Sequence, residues 1–194
     1  MGKYIESRDN RIIKECVRLT RKKYRDKEER YLIEGENLVG EAISEGIDIS
    51  ALLMRDGTTF EVPDRVDTYI IEPGLFDSIA QTETSQGILA IVARNSYTVE
   101  ELEKANEPGI NYIVLDRLQD PGNIGTIIRT AEGAGYGAVI TVKGTADVYS
   151  PKVVRAAAGS VFRIPIVSVE DGRELRETVD RLGKKLAVTC LNND

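Results

Sequence analysis

The chain has 194 residues, with 26 Lys and Arg, 32 Asp and Glu, a formal net charge of −6 and no histidine. Its 41% apolar and 30% charged composition is that of an ordinary globular protein, long enough for one large or two modest domains. Without histidine there is no Ser-His-Asp or Cys-His nucleophile, no histidine base and no histidine-ligated metal within these residues. The two cysteines, Cys16 and Cys190, fit neither a disulfide framework nor a zinc knuckle, and free thiols suit a reducing compartment.

The charge is uneven. Residues 1–40 carry a net +3, residues 41–110 a net −10 and residues 111–194 a net +1. Lys3 to Lys27 alone holds ten basic and four acidic groups, so a polyanion is drawn to that end; the plainer alternative is a solvated basic helix. The opening MGKYIESRDN has no apolar run behind its charge and does not read as a signal peptide. Gly87–Ala93 is far too short to span a bilayer, so no membrane association is expected.

In chain order, Ile12, Ile13, Cys16, Val17 and Leu19 recur at helical spacing and predict a helix from Asp9 to about Tyr24, capped by Ser7 or Asp9, with Arg11, Lys14, Arg18 and Arg21 on its polar face. Tyr31–Gly35 reads as a strand, the residues around Leu38–Ile43 as a helix ending at Gly46, and Ile49–Met54 and Asp67–Glu72 as strands. A short helix near Leu75–Ala80 and a buried strand at Gln86–Ala93 complete a small αβ unit, residues 1–95. Residues 96–110 read as a linker with one short helix behind a Thr98…Glu101 capping box. From residue 111 to 194 strands and helices alternate: strand Asn111–Asp116, helix Gly122–Ala134, strand Gly137–Val142, helix Pro151–Ala158 capped by Ser150, an extended Phe162–Val167, helix Arg173–Leu182 and strand Lys185–Leu191. Such alternation predicts a mostly parallel sheet covered by helices. Ending on a strand, the fold reads as stopping midway, with roughly 60–80 further residues expected from the helices and strands an ordinary domain still lacks.

Chemistry concentrates in LDRLQDPGNIGTIIRTAEGAGYGAVI, Leu115–Ile140. Turn residues Asp120–Asn123 lie between a strand and a helix, where open parallel sheets bind ligands. Ile124, Ile127, Ile128, Ala131 and Ala134 fall on one helical face and Arg129 points away, among Gly125, Thr126, Glu132 and Gly133. Either Arg129 is a surface arginine paired with Glu132 at i+3, or its guanidinium is open to a large flat ligand. Gly133, Gly135 and Gly137 lack dinucleotide-binding spacing and follow a helix instead of preceding one, and Lys143-Gly144-Thr145 lacks the upstream glycine of a P-loop. Lys152 and Arg155 share a helix face and are candidates to clamp a phosphate. The window 117–163 is locally +3, the sign a nucleic-acid contact needs.

LDRLQDPGNIGTIIRTAEGAG followed by YSPKVVRAAAGSVFRIPI resembles the first motif of the SpoU (TrmH) branch of the SPOUT RNA methyltransferases. YLIEGENLVGEAI and SQGILAIV are similar to that family's L30e/L7Ae-like substrate-binding domain. The resemblance implies an L30e-like αβ domain followed by a truncated α/β-knot domain, an S-adenosylmethionine-dependent ribose 2′-O-methyltransferase of RNA, rRNA ahead of tRNA, and a cytoplasmic homodimer without a metal. It implies that Arg129 is the catalytic arginine and that Asn123 orders the site, with Thr189 and Leu191 beside the cofactor; Lys152 and Arg155, and Arg18 and Arg21 of the basic amino-terminal helix, are the candidate substrate contacts by their charge and placement. The family's second and third motifs, which form most of the cofactor pocket, are not in this sequence. A non-catalytic RNA-binding module or inactive fragment is the alternative.

Overall fold

The computed structural model describes residues 3–189. The amino-terminal unit is a five-stranded mixed sheet of β1 (Lys3–Ile5), β2 (Arg30–Glu34), β3 (Ile49–Arg55), β4 (Thr68–Ile71) and β5 (Ile88–Ala93), in the order β1-β4-β3-β5-β2. β4 runs parallel to β1 and β3, whereas β5 is antiparallel to β2 and β3. β5 is wholly buried from Ile88 to Val92, which accounts for its unbroken apolar sequence. The short β1 is an edge strand that periodicity alone does not reveal.

Each face of this sheet has its own cover. On one side Ile12, Ile13, Cys16 and Leu19 of α1 (Arg11–Leu19) and Leu75, Phe76 and Ile79 of α4 (Pro73–Ile79) pack on Leu32, Ala51, Leu53, Leu89 and Ile91. The other side meets Leu38, Val39 and Ala42 of α3 (Glu36–Ser44) and continues without a break into the second unit.

That second unit is a fully parallel sheet, β6-β7-β8, made of β6 (Tyr112–Asp116), β7 (Ala138–Val142) and β8 (Ile166–Val169). Alternation along β7 sends Ala138, Ile140 and Val142 toward α5 (Val99–Lys104) and α8 (Gly172–Arg181). Val139 points the other way, toward α6 (Pro121–Gly133) and α7 (Pro151–Ala157). One apolar cluster therefore runs from Tyr31, Ile33 and Leu52 of the first sheet to Ile124, Ile128, Val153 and Phe162 of the second unit. The segment that reads as a linker contributes α5, whose capping box forms as expected and whose Val99 and Leu102 are buried.

Three expected elements differ. The amino-terminal helix is two helices, because Thr20 turns its hydroxyl onto the Val17 carbonyl and Arg21 is extended before α2 (Lys22–Glu28) begins. The first is capped by Asn10, which accepts from the Ile12 N–H, and not by Ser7 or Asp9. Phe162 lies in a 3-10 turn (Ser160–Phe162), and β8 starts at Ile166, beyond Pro165. The Ser160 carbonyl accepts from both the Arg163 and Ile164 N–H groups, which holds that stretch out of the sheet. Lys185–Thr189 form no strand, and Leu186 and Val188 are exposed. A parallel strand is stabilised by cover on both faces, and Leu186 and Val188, at 40% and 75% exposed, lack that cover among the described residues.

Candidate active site

The loops at the carboxyl ends of β6 and β7 are stitched together. The Thr145 hydroxyl accepts from the Arg117 N–H at 3.0 Å, the Leu118 carbonyl accepts from Ala146, and the Gln119 amide donates to the carbonyls of Arg117 and Gly144. Arg117 is held at φ 52°, a left-handed conformation that costs a non-glycine residue about 1 kcal/mol or more. Its side chain packs where a Cβ at Gly144 would stand, so Gly144 must lack one. Strain held by a crosslinked loop at a strand's carboxyl end fits a ligand-facing mouth.

Helix α6 begins from this mouth. Asp120 caps it, accepting from the Asn123 N–H at 2.7 Å, and Pro121 opens the first turn. The Asn123 side chain is exposed beside the stitched loop. Arg129 is exposed too, but six residues on it stands about 9 Å further along the axis and about a third of a turn away, so the two do not converge within this chain.

The stripe around Arg129 differs from the expected open face in one respect. Gly125, one turn earlier, is buried: a Cβ there would lie 2.7 Å from the Val153 carbonyl oxygen and 2.8 Å from the Ala157 nitrogen. Helices α6 and α7 touch backbone to backbone at this point, and Arg129 follows along the seam they make. Glu132, the i+3 neighbour that would neutralise Arg129, is engaged elsewhere. Its Oε1 accepts from Arg163 Nε at 2.9 Å, and Arg163 also pairs with Glu41 of α3 and with Glu45, which follows it. The Arg163 hydrogen bond holds the Glu132 carboxyl below its ordinary pKa. Among the described residues Arg129 has no ion pair.

Lys152 and Arg155 are both exposed on α7, as their spacing predicts. Ser150 stands at the cap position without a side-chain bond to the helix. Arg155 looks across to the first unit, where a cleft of about 310 Å³ brings it near Gly35, Asn37 and Gln86, and its guanidinium lies 3.5 Å from the Gln81 carbonyl. Arg18 and Arg21 are not brought to this place. Arg18 belongs to α1, on the sheet face turned away from the second unit, and lies 3.7 Å from Glu28. Arg21 is exposed at the start of α2. A second cleft of about 310 Å³, at the ends of β7 and β8, is bordered by Lys22, Arg94 and Lys143 and by Asp26 and Glu170.

Thr189 is exposed and outside any strand, and Leu191 lies outside the described residues. Lys184 donates to the Glu107 carbonyl and lies over the Tyr112 ring, so the chain leaves α8 beside the start of β6. The described residues supply the loop after β6 and the start of α6, but Thr189 is exposed, so they do not make a complete seat for a nucleoside cofactor.

Sequence reasoning passed over Arg117, Gln119 and Thr145 as a unit, and counted Arg163 only toward the positive charge of the 117–163 window. Only a glycine one residue before Thr145 hinted at the first. Nothing local marks Arg163, whose partners lie 31 and 122 positions away.

Comparison with known proteins matches residues 111–194 to the SpoU rRNA Methylase family and residues 10–90 to the MRM3-like substrate binding domain. The chain is similar to the 23S rRNA (guanosine(2553)-2′-O)-methyltransferase RlmP of Bacillus subtilis, with 38% identity across 98% of this chain and 75% of that protein. It is also similar to the mitochondrial rRNA methyltransferase 3 of Homo sapiens, at 30% identity over 82% of this chain and 40% of the relative. The AdoMet-bound crystal structure of an rRNA methyltransferase from Sinorhizobium meliloti superposes with a TM-score of 0.77 at 31% identity, over 90% of this chain and 67% of the other.

Proposed function

Because the chain belongs to the SpoU rRNA methylase family, we propose that it methylates a ribose 2′-hydroxyl of ribosomal RNA, with S-adenosylmethionine as methyl donor. Residues 1–95 form the RNA-binding unit and residues 111–194 the first part of the methyltransferase unit. The observation that carries this reading is Arg129, an exposed guanidinium on a helix whose i+3 carboxylate, Glu132, is already taken.

A ribose hydroxyl is a very weak acid and must shed its proton to become a nucleophile. Arginine is always protonated and has no lone pair to accept that proton. Arg129 acts instead as a fixed cation that stabilises the charge developing on the ribose oxygen and orients the neighbouring phosphate. The proton passes to a substrate phosphate or to water. Asn123 orders the loop mouth through its place in the first turn of α6. Lys152 and Arg155 hold the RNA backbone, and the basic Arg18 and Arg21 draw it in. Thr189 and Leu191 would line the cofactor side, and because the described residues do not complete that seat, no step is assigned through it. The protein acts as a homodimer in the cytoplasm, and rRNA is preferred to tRNA because both named relatives carry rRNA in their names.

The non-catalytic alternative is not favoured, since the segment bearing Asn123 and Arg129 falls inside the methylase match. The test is methyl transfer from tritiated S-adenosylmethionine to rRNA by the complete protein. Arg129→Ala is expected to lower the rate by about 100-fold or more while RNA affinity changes little. Retention of most activity overturns the assignment.

A further inference from the structure

A helical arginine with a glutamate three residues later ordinarily pairs with it. Here Arg129 and Glu132 stand at that spacing, yet both Glu132 oxygens are occupied: Oε1 accepts from Arg163 Nε at 2.9 Å and Oε2 from the Ser160 hydroxyl at 3.4 Å. Arg163 comes from the turn after α7, and that turn is built to deliver it. Ala158 and Gly159 are both left-handed, at φ 46° and 79°, and reverse the chain back against α6. A single alanine in that region costs about 1 kcal/mol or more, so the surroundings impose the conformation. Gly159 adopts that conformation without the cost of a Cβ, and the Glu41 carboxylate lies where one would stand. Ser160, the second donor to Glu132, is itself buried.

The consequence is electrostatic. Without Arg163, three carboxylates, Glu41, Glu45 and Glu132, would lie along the α3–α6 seam with Arg129 as the nearest cation on α6. A carboxylate beside a developing oxyanion opposes it, and one that captures the guanidinium removes the stabiliser as well.

We propose that Arg163 is a positioning residue for methyl transfer: it sequesters Glu132 and so keeps Arg129 uncompensated and available to the ribose oxygen. The proposal rests on the reading of Arg129 given above. A purely structural clamp between α3 and α6 predicts different behaviour, and the two separate in a double-mutant cycle on the complete protein.

Arg163→Met is expected to lower kcat by about tenfold with the KM for RNA little changed, because Glu132 is released toward Arg129. Adding Glu132→Gln removes the competing charge, and the double variant is expected to return to within about threefold of the parent. A structural clamp gives the reverse, since the double variant has lost both partners. Thermal unfolding of each variant accompanies the kinetics, and a recovery that merely follows the unfolding temperature overturns the proposal, as does a double variant no faster than Arg163→Met. If Arg163→Met does not fold, Arg163→Lys, which keeps the charge but loses the forked donors, enters the same cycle. Arg129→Ala separates the failures: if it keeps full activity the active-site reading falls, whereas if it is inactive and the cycle shows no rescue only the positioning role falls.

Discussion

Arg25 of α2 and Asp147 of the loop after β7 form a buried ion pair that ties the first unit to the second. Arg25 Nε and Nη2 donate to the same Asp147 oxygen at 2.8 and 2.5 Å, and Nη1 donates to the Leu19 carbonyl. The two side chains are 5% and 12% exposed, Arg25 the more deeply buried of the two and Asp147 at the edge of the cleft beside β7. The neighbouring Tyr149 ring stacks 5.0 Å from Tyr31 and lies under Arg94, which extends the same contact.

Removing one member of such a pair strands the other. Asp147→Ala is expected to destabilise the protein by about 3–5 kcal/mol, read as a lower urea midpoint. Arg25→Met combined with Asp147→Ala should restore much of that loss, because no buried charge remains. A single-variant loss below about 1 kcal/mol would show the pair to be solvated.

Gly125 sets how closely α6 approaches α7. Gly125→Ala places a methyl against main-chain atoms that cannot rotate aside, and the helices must separate. About 1–3 kcal/mol of stability should be lost, and methyl transfer should fall with it because Arg129 rides on the same seam. Unchanged unfolding would mean that the helices slide apart at no cost.

Acid should act through hydrogen-bonded carboxylates. Glu132 is lowered by Arg163, Glu101 by the backbone and hydroxyl of Thr98, and Glu72 by the N–H groups of Gly74 and Leu75. For a folded-state pKa depressed below the unfolded one, the stabilisation is complete above the ordinary carboxyl value of 4.5 and is lost as pH falls through the lowered one. Stability is therefore expected to be flat from pH 7 to about 5 on account of these groups and to decline further down, with a shallower decline in Glu132→Gln. An identical slope in that variant would remove Glu132 from the account.

Cys16 is a core residue, and burial pushes its thiol up to about 12. The thiolate is the reactive form, so peptide-resolved alkylation at about pH 8 should leave Cys16 unmodified in the folded protein and label it fully in urea. Rapid labelling without denaturant would mean that α1 opens from the sheet.

Much of this architecture is legible in the residues themselves. The unbroken apolar run Ile88–Val92, the Thr98 capping box and the isoleucine stripe of α6 are local patterns, each read within a few residues. The misreadings occur where a side chain bonds across the chain or a turn lacks a strong signal. Thr20 ends α1 where the sequence predicts a helix as far as about Tyr24, and the double left-handed turn at Ala158–Gly159 moves Arg163 out of an apparent strand. Arg25 reads as one more solvated cation and is buried instead.

Periodicity and turn chemistry, being short-range, are enough to establish the alternation of strands and helices and the outward direction of Arg129, and the resemblance of its motif to a known family is carried by the same short stretch. They do not say whether Arg129 keeps its charge uncompensated, because that depends on which cation reaches Glu132 first. The answer comes from a residue 31 positions later, delivered by the left-handed turn at Ala158–Gly159. Charge pairing follows distance in space, and only the folded chain sets that distance.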